Sequence, residues 1–235
     1  MIKRTVAESA VLTEWLGWCH TLFHMVVKTG AGRTRDLKSA ERRNQLAESA
    51  LRTLGELGYA RTSLRDIAAN SEFSHGVVHY YFADKTELIT YCVRYYKAQC
   101  VTRYDEIIHS ATSAEEVLTR FADKLCETLT EDFAMHRLWY DLRTQAMFED
   151  VLRPDVLMID ATLEDMIWRV LRRYADLSGR ALLVDSPTAY AMLDGVFEQA
   201  LLRHLAGQDD AVDALRARAL ELVPHLLQEP VGVLP

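Results

Sequence analysis

Apolar and polar positions alternate along the chain with the period of an α-helix, and no two-residue alternation is long enough to predict a strand. Apolar positions from Leu46 to Leu57 form one helical stripe, and two shorter helical segments follow before residue 84. Further helices are predicted near residues 84–109, 114–131, 133–149, 155–176, 187–206 and 210–227. Since no internal repeat is visible either, the sequence predicts an all-α protein.

The helix that carries the stripe from Leu46 to Leu57 has signals at both ends. Ser39 is predicted to cap its start. Gly58 is expected to end it in the left-handed conformation that glycine adopts without strain. The polar stretch that precedes Ser39, "KTGAGRTRDLKS", contains two glycines and several basic residues, so it is predicted to be a linker or a basic arm.

Cap residues also mark the helices that follow. Thr62 is predicted to cap the second helix and Ser74 the third. Three later starts carry stronger signals, namely two capping boxes and a serine followed by a proline: Asp84 with Glu87, Ser113 with Glu116, and Ser186 with Pro187. Because the second and third helices are separated only by "SEF", we expect a tight turn between them.

An apolar stripe precedes the basic stretch, from Val11 to Val27, but Glu14 and two histidines interrupt it, so neither a membrane span nor a signal peptide is predicted. Cys19, His20 and His24 fit an amphipathic helix better than a metal site. Three interpretations of this extension remain: a helix packed on its own or a partner domain, a helix that docks on a membrane or protein, or translation starting at Met25.

Charge is distributed unevenly over the 235 residues, whose formal net charge is -7. Residues 28–97 carry 12 Lys or Arg and 8 Asp or Glu, whereas residues 98–235 carry 13 and 24. A mildly basic segment followed by an acidic one is compatible with a single nucleic-acid-facing part. The four cysteines form no C-x-x-C pair, so we expect reduced thiols in a cytoplasmic protein.

Two short helices joined by a tight turn are the arrangement of a helix-turn-helix, whose second helix enters the DNA major groove. Four apolar side chains are placed to pack these helices together: Ile67, Ala68, Val78 and Phe82. Five residues of the third helix are then left to face outward: His75, Gly76, Val77, His79 and Tyr80. His75 and His79 share one face, but no third metal ligand is near in sequence, so DNA contact is the preferred interpretation.

The segment Arg42–Leu88 resembles the TetR family of transcriptional regulators. The resemblance covers about a fifth of the chain and rests on these elements: Gly58-Tyr59, Thr62-Ser63, Asp66-Ile67-Ala68, Ser74-His75-Gly76, Tyr80-Tyr81-Phe82, Lys85 and Leu88. It implies a homodimer with a three-helix N-terminal helix-turn-helix DNA-binding domain and a helical C-terminal ligand-binding and dimerisation domain. We therefore expect an extension at residues 1–37, a DNA-binding domain at 38–85, and a ligand-binding and dimerisation domain at 86–235.

The resemblance also implies roles for individual residues. His75, Val77 and His79 fall where the family reads bases, while Tyr80 and Lys85 fall where it holds phosphates. The complete predicted DNA-binding set is Arg43, Thr62, Ser63, Ser74, His75, Gly76, Val77, His79, Tyr80 and Lys85. One departure stands in the turn, where Glu72 replaces the usual glycine. Either Glu72 is left-handed, which is uncommon without glycine, or the turn differs.

For the C-terminal domain the predictions rest on apolar side chains and a few polar groups. The candidate ligand-binding residues are Trp139, Tyr140, Arg143, Met147, Phe148, Met166 and Trp168. The candidate dimerisation residues, expected to form a four-helix bundle with the second subunit, are Ala191, Gly195, Leu202, Leu205, Leu215, Ala219 and Leu222. No cofactor, metal site or membrane contact is predicted.

The function predicted from all this is a ligand-responsive, sequence-specific transcriptional regulator. We expect a repressor that a small, partly apolar effector releases from a pseudo-palindromic operator on double-stranded DNA. The alternatives are an activator or a ligand-independent DNA binder, and an all-helical enzyme or small-molecule carrier. An enzyme is disfavoured because no catalytic set with suitable spacing is visible.

Overall fold

The computed structural model describes residues 30–228, with side chains from residue 37 onward. This part of the chain forms α-helices and no strand, apart from one isolated bridge between Leu182 and Leu227. The helices are α1 Gly30–Leu57, α2 Leu64–Ala69, α3 His75–Tyr81, α4 Lys85–Cys100, α5 Asp105–Ser110, α6 Ala114–Glu131, α7 Phe133–Ala146, α8 Arg153–Ser178, α9 Ser186–Leu205 and α10 Ala211–His225. The all-α prediction is confirmed. The predictions made for Val11 to Val27 and for Met25 lie outside the described residues.

The chain divides into two compact units, residues 1–46 and 47–235, and the packing described below belongs to the second. The apolar stripe of α1 is buried as predicted at Ala47, Ala50, Leu51 and Leu54. Gly58 ends α1 with a φ of +80°, which confirms the left-handed stop.

The start of α1 differs from the prediction. The helix begins at Gly30, so residues 30–37 are helical and do not form the predicted linker, and Ser39 lies inside the helix instead of capping it. The two glycines that suggested a flexible linker, Gly30 and Gly32, stand in the first turn of this helix.

Two predicted caps are shifted by one residue. Ser63, not Thr62, caps α2, and Asp185, not Ser186, caps α9 by accepting the N–H of Thr188 at 3.1 Å. At Ser74 the predicted cap of α3 is confirmed, since its side chain accepts the N–H of Val77.

The predicted capping boxes at α4 and α6 form with a small variation. Asp84 accepts the N–H of Glu87 as expected, and the Glu87 carboxylate reaches back to the N–H of Ala83 at 2.8 Å. The start of α6 repeats this pattern with Ser113, Glu116 and Thr112. In both cases the glutamate satisfies a backbone donor one residue before the cap.

The helix predicted at residues 84–109 is broken into α4 and α5 between Val101 and Tyr104. Arg169 of α8 donates to the Val101 carbonyl at 2.6 Å, which satisfies a helix-terminal acceptor where the break occurs. Helices α6, α8, α9 and α10 then pack against one another. Their largest fully buried side chains include Phe121, Leu171 and Leu215. Within the described residues, no helix has the length and apolar character needed to cross a membrane.

Candidate nucleic-acid interface and internal cavity

Helices α2 and α3 pack through a small apolar core. Ile67 and Val78 are fully buried and Phe82 is 1% exposed, which confirms three of the four residues predicted to pack here, while the fourth, Ala68, is half-buried. Outward from this core, α3 presents a continuous exposed face formed by the five residues predicted for it: His75, Gly76, Val77, His79 and Tyr80. The Tyr80 side chain is 81% exposed, so its hydroxyl is free to meet a ligand outside the protein.

The turn between α2 and α3 is closed by a serine. The Ser71 hydroxyl accepts the N–H of Phe73 at 3.1 Å and donates to the Ala68 carbonyl at 3.1 Å. Phe73 is 7% exposed and anchors the turn in the domain, while Glu72 lies on the surface. These side-chain hydrogen bonds make the turn rigid, as in other turns that a serine or threonine hydroxyl closes.

Gly76 lies in α3 without any internal requirement for glycine. A Cβ built at this position would approach only the Ser74 hydroxyl, at 4.0 Å, which is an ordinary contact. Glycine costs a helix up to about 1 kcal/mol relative to alanine. Beside it, the rings of His75 and His79 contact each other with centroids 4.4 Å apart, so each imidazole restrains the other.

The structure corrects the role predicted for Thr62. Its hydroxyl donates to the Gly58 carbonyl at 2.7 Å and the residue is 2% exposed, so it faces the protein interior and not a phosphate. Ser63 is the exposed residue of the pair. It forms a complete capping box with Asp66, in which the Asp66 carboxylate accepts the Ser63 N–H at 2.8 Å.

Two basic residues of the predicted set have different surroundings. The Lys85 ammonium lies 4.3 Å from the centroid of the Tyr59 ring, and partial burial lowers the pKa of this lysine. Lys85 therefore helps to hold the domain together, and its half-exposed side chain remains at the surface. Arg43 lies on the part of α1 that belongs to the first compact unit, and it is half-buried.

Helix α7 is bonded directly to the end of α1. Arg137 donates to the Gly55 carbonyl, and the Asp141 carboxylate accepts the Tyr59 N–H at 2.7 Å. The Tyr59 hydroxyl extends the connection by donating to Glu149 at 2.9 Å. A Cβ at Gly55 would lie 2.7 Å from a Met135 atom, so the glycine permits this close approach of α1 and α7.

The same helix α7 lines a cavity in the C-terminal part of the chain. The cavity has a volume of about 70 Å³, enough for a few water molecules. Its walls are mainly aromatic and aliphatic, with a few charged groups, and the residues that line it are Lys97, Cys100, Arg103, Tyr104, Leu125, Thr128, His136, Trp139, Tyr140, Leu163, Met166, Ile167, Tyr190, Leu193, Asp194 and Phe197.

Most charged groups at the cavity have a partner. Arg143 donates to Asp194 at 2.5 Å, and the Tyr140 hydroxyl donates to the same carboxylate at 2.9 Å. On the opposite wall Arg103 forms an ion pair with Asp132 at 2.6 Å. Arg143 also lies 3.8 Å from Asp160, so two carboxylates share its charge.

His136 is the buried histidine of this cavity. Its Nε2 lies 3.1 Å from the Thr128 hydroxyl. Burial, followed by the positive charges of Lys97 and Arg103, lowers the pKa of His136 to about 2. The imidazole is therefore neutral at physiological pH.

Comparison with known proteins shows what the DNA-binding segment is similar to. Residues 46–92, which contain α2, α3 and their turn, match the family model described as bacterial regulatory proteins, tetR family. This segment is therefore similar to the DNA-binding part of TetR-family regulators. The curated relatives that the chain matches are transcriptional regulators.

The relatives of this chain have low sequence identity to it. The repressor KstR2 of Mycolicibacterium smegmatis is 23% identical over 164 residues, which are 57% of this chain and 80% of KstR2. A TetR transcription regulator of Haloarcula marismortui superposes with a TM-score of 0.66 at 22% identity, covering 80% of this chain and all of that structure. A transcriptional regulator of Saccharomonospora viridis in complex with choline also reaches a TM-score of 0.66, at 20% identity over 81% of this chain and all of that one. At these identities the structures establish the fold alone.

The cavity contains some of the predicted ligand-binding residues and excludes others. Trp139, Tyr140 and Met166 line the cavity, and Arg143 donates a hydrogen bond to Asp194, which is also part of the lining. Three predicted residues do not. Met147 and Phe148 are 74% and 80% exposed after the end of α7, and Trp168 is half-buried outside the lining.

Lys97 is the most informative lining residue that the sequence-based prediction missed. A usable signal was present, because Lys97 falls four residues after Val93 on the buried stripe of α4. A lysine at such a position is rare in a core and marks a functional candidate.

The predicted dimerisation face needs a correction in α10. Leu215 and Ala219 are buried inside the subunit, where α10 packs on α6 and α9, and Leu222 is half-buried. The predicted residues of α9 are all exposed: Ala191, Gly195, Leu202 and Leu205. Of these two helices, α9 therefore exposes its predicted residues, whereas α10 buries them fully or in part.

Proposed function

We propose that this TetR-family regulator is a homodimeric repressor that binds a pseudo-palindromic operator and leaves it when a small molecule occupies the cavity. The observation that carries the proposal is α3, whose exposed face combines two histidines, a glycine and a tyrosine above a rigid apolar core. Such a helix can lie in a major groove with its side chains at the base edges.

Base reading and phosphate contact are assigned to different residues of this face. His75, Val77 and His79 are proposed to read bases, while Ser63, Ser74, Tyr80 and Lys85 position the domain on the phosphates. Arg43 is proposed to contact the DNA backbone as well. Thr62 leaves the set, because its buried hydroxyl is already bonded to Gly58.

Ligand response is proposed to pass through α7. This helix brings Trp139 and Tyr140 to the cavity and bonds through Arg137 and Asp141 to the end of α1. A ligand that prefers one position of α7 over another would favour one position of the DNA-binding helices. Only such a difference in affinity between two states can release DNA.

Dimerisation is proposed to use the exposed face of α9. Gly195 stands in the middle of this helix, and a Cβ built there meets nothing within 4 Å, so no contact inside the subunit requires glycine. A partner helix that approaches closely does require it. Leu202, which is 68% exposed, would then be covered by the second subunit.

The dimer surface has a direct test. Gly195→Leu is expected to shift the protein from dimer to monomer in analytical ultracentrifugation without lowering the thermal stability of the subunit. Ala161→Leu, which enlarges an exposed residue of α8, is the matched control and should remain dimeric. A Gly195→Leu protein that dimerises as tightly as the wild type would remove α9 as the interface.

The DNA-binding proposal is tested by footprinting on the genomic DNA of the source organism, with and without a small-molecule extract. A specific protected site that the extract abolishes is the expected result, and its place relative to the promoter distinguishes repressor from activator. The relative KstR2 is itself a repressor by name, which supports the first outcome. If no site is protected, the regulator proposal is wrong. A site that no extract affects would favour a ligand-independent binder.

We place this regulator in the cytoplasm, where its operator would be.

A further inference from the structure

Lys97 is a buried cation without a counter-ion in the described part of the chain. Its side chain is 4% exposed and lines the cavity, and among the described residues it forms no ion pair within 4 Å and no hydrogen bond. Its ammonium instead lies over two aromatic rings, with centroid distances of 5.0 Å to Trp139 and 5.6 Å to Tyr96. Burying an unpaired charge is costly, so this arrangement requires an explanation.

The other charged groups of the cavity cannot supply the missing partner. Asp194 is already bonded to Arg143 and to the Tyr140 hydroxyl, and Arg103 is paired with Asp132. Asp160 also approaches Arg143, at 3.8 Å. The remaining lining groups are neutral or apolar, so carboxylates balance the charge of Lys97 only from a distance and none of them contacts its ammonium.

A second unused donor lies beside this charge. The Nε1–H of Trp139 is buried and has no hydrogen-bond partner among the described residues, and the Trp139 ring is the one over which the Lys97 ammonium lies. An ammonium and an indole N–H together match the two oxygens of a carboxylate. The apolar walls, which include Leu163, Met166 and Ile167, would surround the rest of such a ligand.

We propose that the cavity binds a small monocarboxylate, whose carboxylate takes the Lys97 ammonium as its counter-ion and the Trp139 N–H as a further donor. This inference rests on the proposed ligand response and names the chemical class of the effector. A quaternary ammonium ligand does not fit, although a structural relative is bound to choline. The carboxylate that could receive a cation, Asp194, already accepts hydrogen bonds from Arg143 and from the Tyr140 hydroxyl.

Calorimetric titration of the full-length protein with matched compounds tests the charge requirement. The probes are butanoate, hexanoate and octanoate, each with its amide and its primary amine, and choline. At least one acid is expected to bind, and its amide to bind at least about tenfold more weakly, because the amide lacks the charge that Lys97 requires. Binding of the amine or of choline in preference to every acid overturns the proposal, and so does the absence of binding by all three acids.

Two lysine variants test whether Lys97 binds the carboxylate. Lys97→Met should weaken binding of the acid by about thirtyfold or more, as expected when one partner of a buried charge pair is removed. Lys124→Met, which changes a half-buried lysine of α6 outside the cavity lining, should bind like the wild type. Equal affinity of the wild type and Lys97→Met would contradict the proposal. If Lys97→Met fails to fold, the comparison of acid with amide decides alone.

DNA binding is measured separately on the same proteins. Acid binding without any effect on a specific operator would leave the assignment of the cavity intact and contradict the proposed ligand response. Operator binding with no acid binding would contradict the carboxylate proposal alone. The two failures are therefore distinguishable.

Discussion

Replacing Gly76 by alanine separates stability from DNA binding, because the two should change in opposite directions. The added Cβ would approach only the Ser74 hydroxyl, at 4.0 Å, so no clash inside the protein opposes it. Alanine favours the helix by about 0.5 to 1 kcal/mol. For a chain of this size the melting temperature should therefore rise by roughly 2 °C.

The same methyl group should weaken operator binding. If the backbone of α3 lies against the DNA, the methyl group enters a contact with no room for it, and overpacking of this kind costs about 1 to 3 kcal/mol. The affinity should fall by roughly tenfold or more per recognition helix. Differential scanning calorimetry and fluorescence anisotropy on one preparation measure both effects. A more stable variant with unchanged DNA affinity would show that the α3 backbone does not approach DNA closely.

Three further predictions follow from the buried and capping groups. Burial lowers the pKa of Lys97 from 10.5 to about 8, so Lys97→Met should raise the free energy of unfolding at pH 7 by up to about 3 kcal/mol. The free energy of unfolding of the wild type should rise between about pH 8 and 10.5, where the Lys97 ammonium keeps its proton only in the unfolded chain. If urea titrations show a difference in stability between Lys97→Met and the wild type that does not depend on pH, the low pKa assigned to Lys97 is wrong. Because the pKa of buried His136 is lowered to about 2, stability should fall as pH drops below about 6.5, and His136→Gln should reduce that loss in thermal melts. Ser63→Ala should cost about 1 kcal/mol in urea denaturation through loss of the α2 cap, and a neutral result would show that Asp66 alone fixes this helix start.

The DNA-binding helices were predictable from the sequence because local rules determine them. Apolar spacing identified the core formed by Ile67, Val78 and Phe82, and the cap at Ser74 fixed the start of α3. The rules failed by one residue at Thr62 and Ser63. Both side chains can cap a helix, and only the bond from the Thr62 hydroxyl to the Gly58 carbonyl separates them.

The cavity could be predicted only in part, since its walls come from helices far apart in sequence. The prediction treated large apolar side chains as buried, which holds for Met166 but fails for Met147 and Phe148. Their position after the end of α7 exposes them. Conversely, Lys97 was not among the predicted residues, although its place on an apolar stripe indicates burial.

The turn at Glu72 could also be predicted only in part from the sequence. The family pattern suggested a glycine there, and the sequence left open whether the turn would change. Ser71 provides the answer by bonding to the Phe73 N–H and the Ala68 carbonyl, which closes the turn by side-chain contacts.

Selection of binding sites from random double-stranded DNA tests the central claim most directly, with the wild type, His79→Ala and Lys85→Ala compared at several salt concentrations. The account predicts a palindromic motif with half-sites about one helical turn apart. His79→Ala should change the preferred bases, while Lys85→Ala should keep the motif and reduce the salt dependence of binding. The absence of an enriched motif, or the same motif and salt dependence for all three proteins, would contradict it.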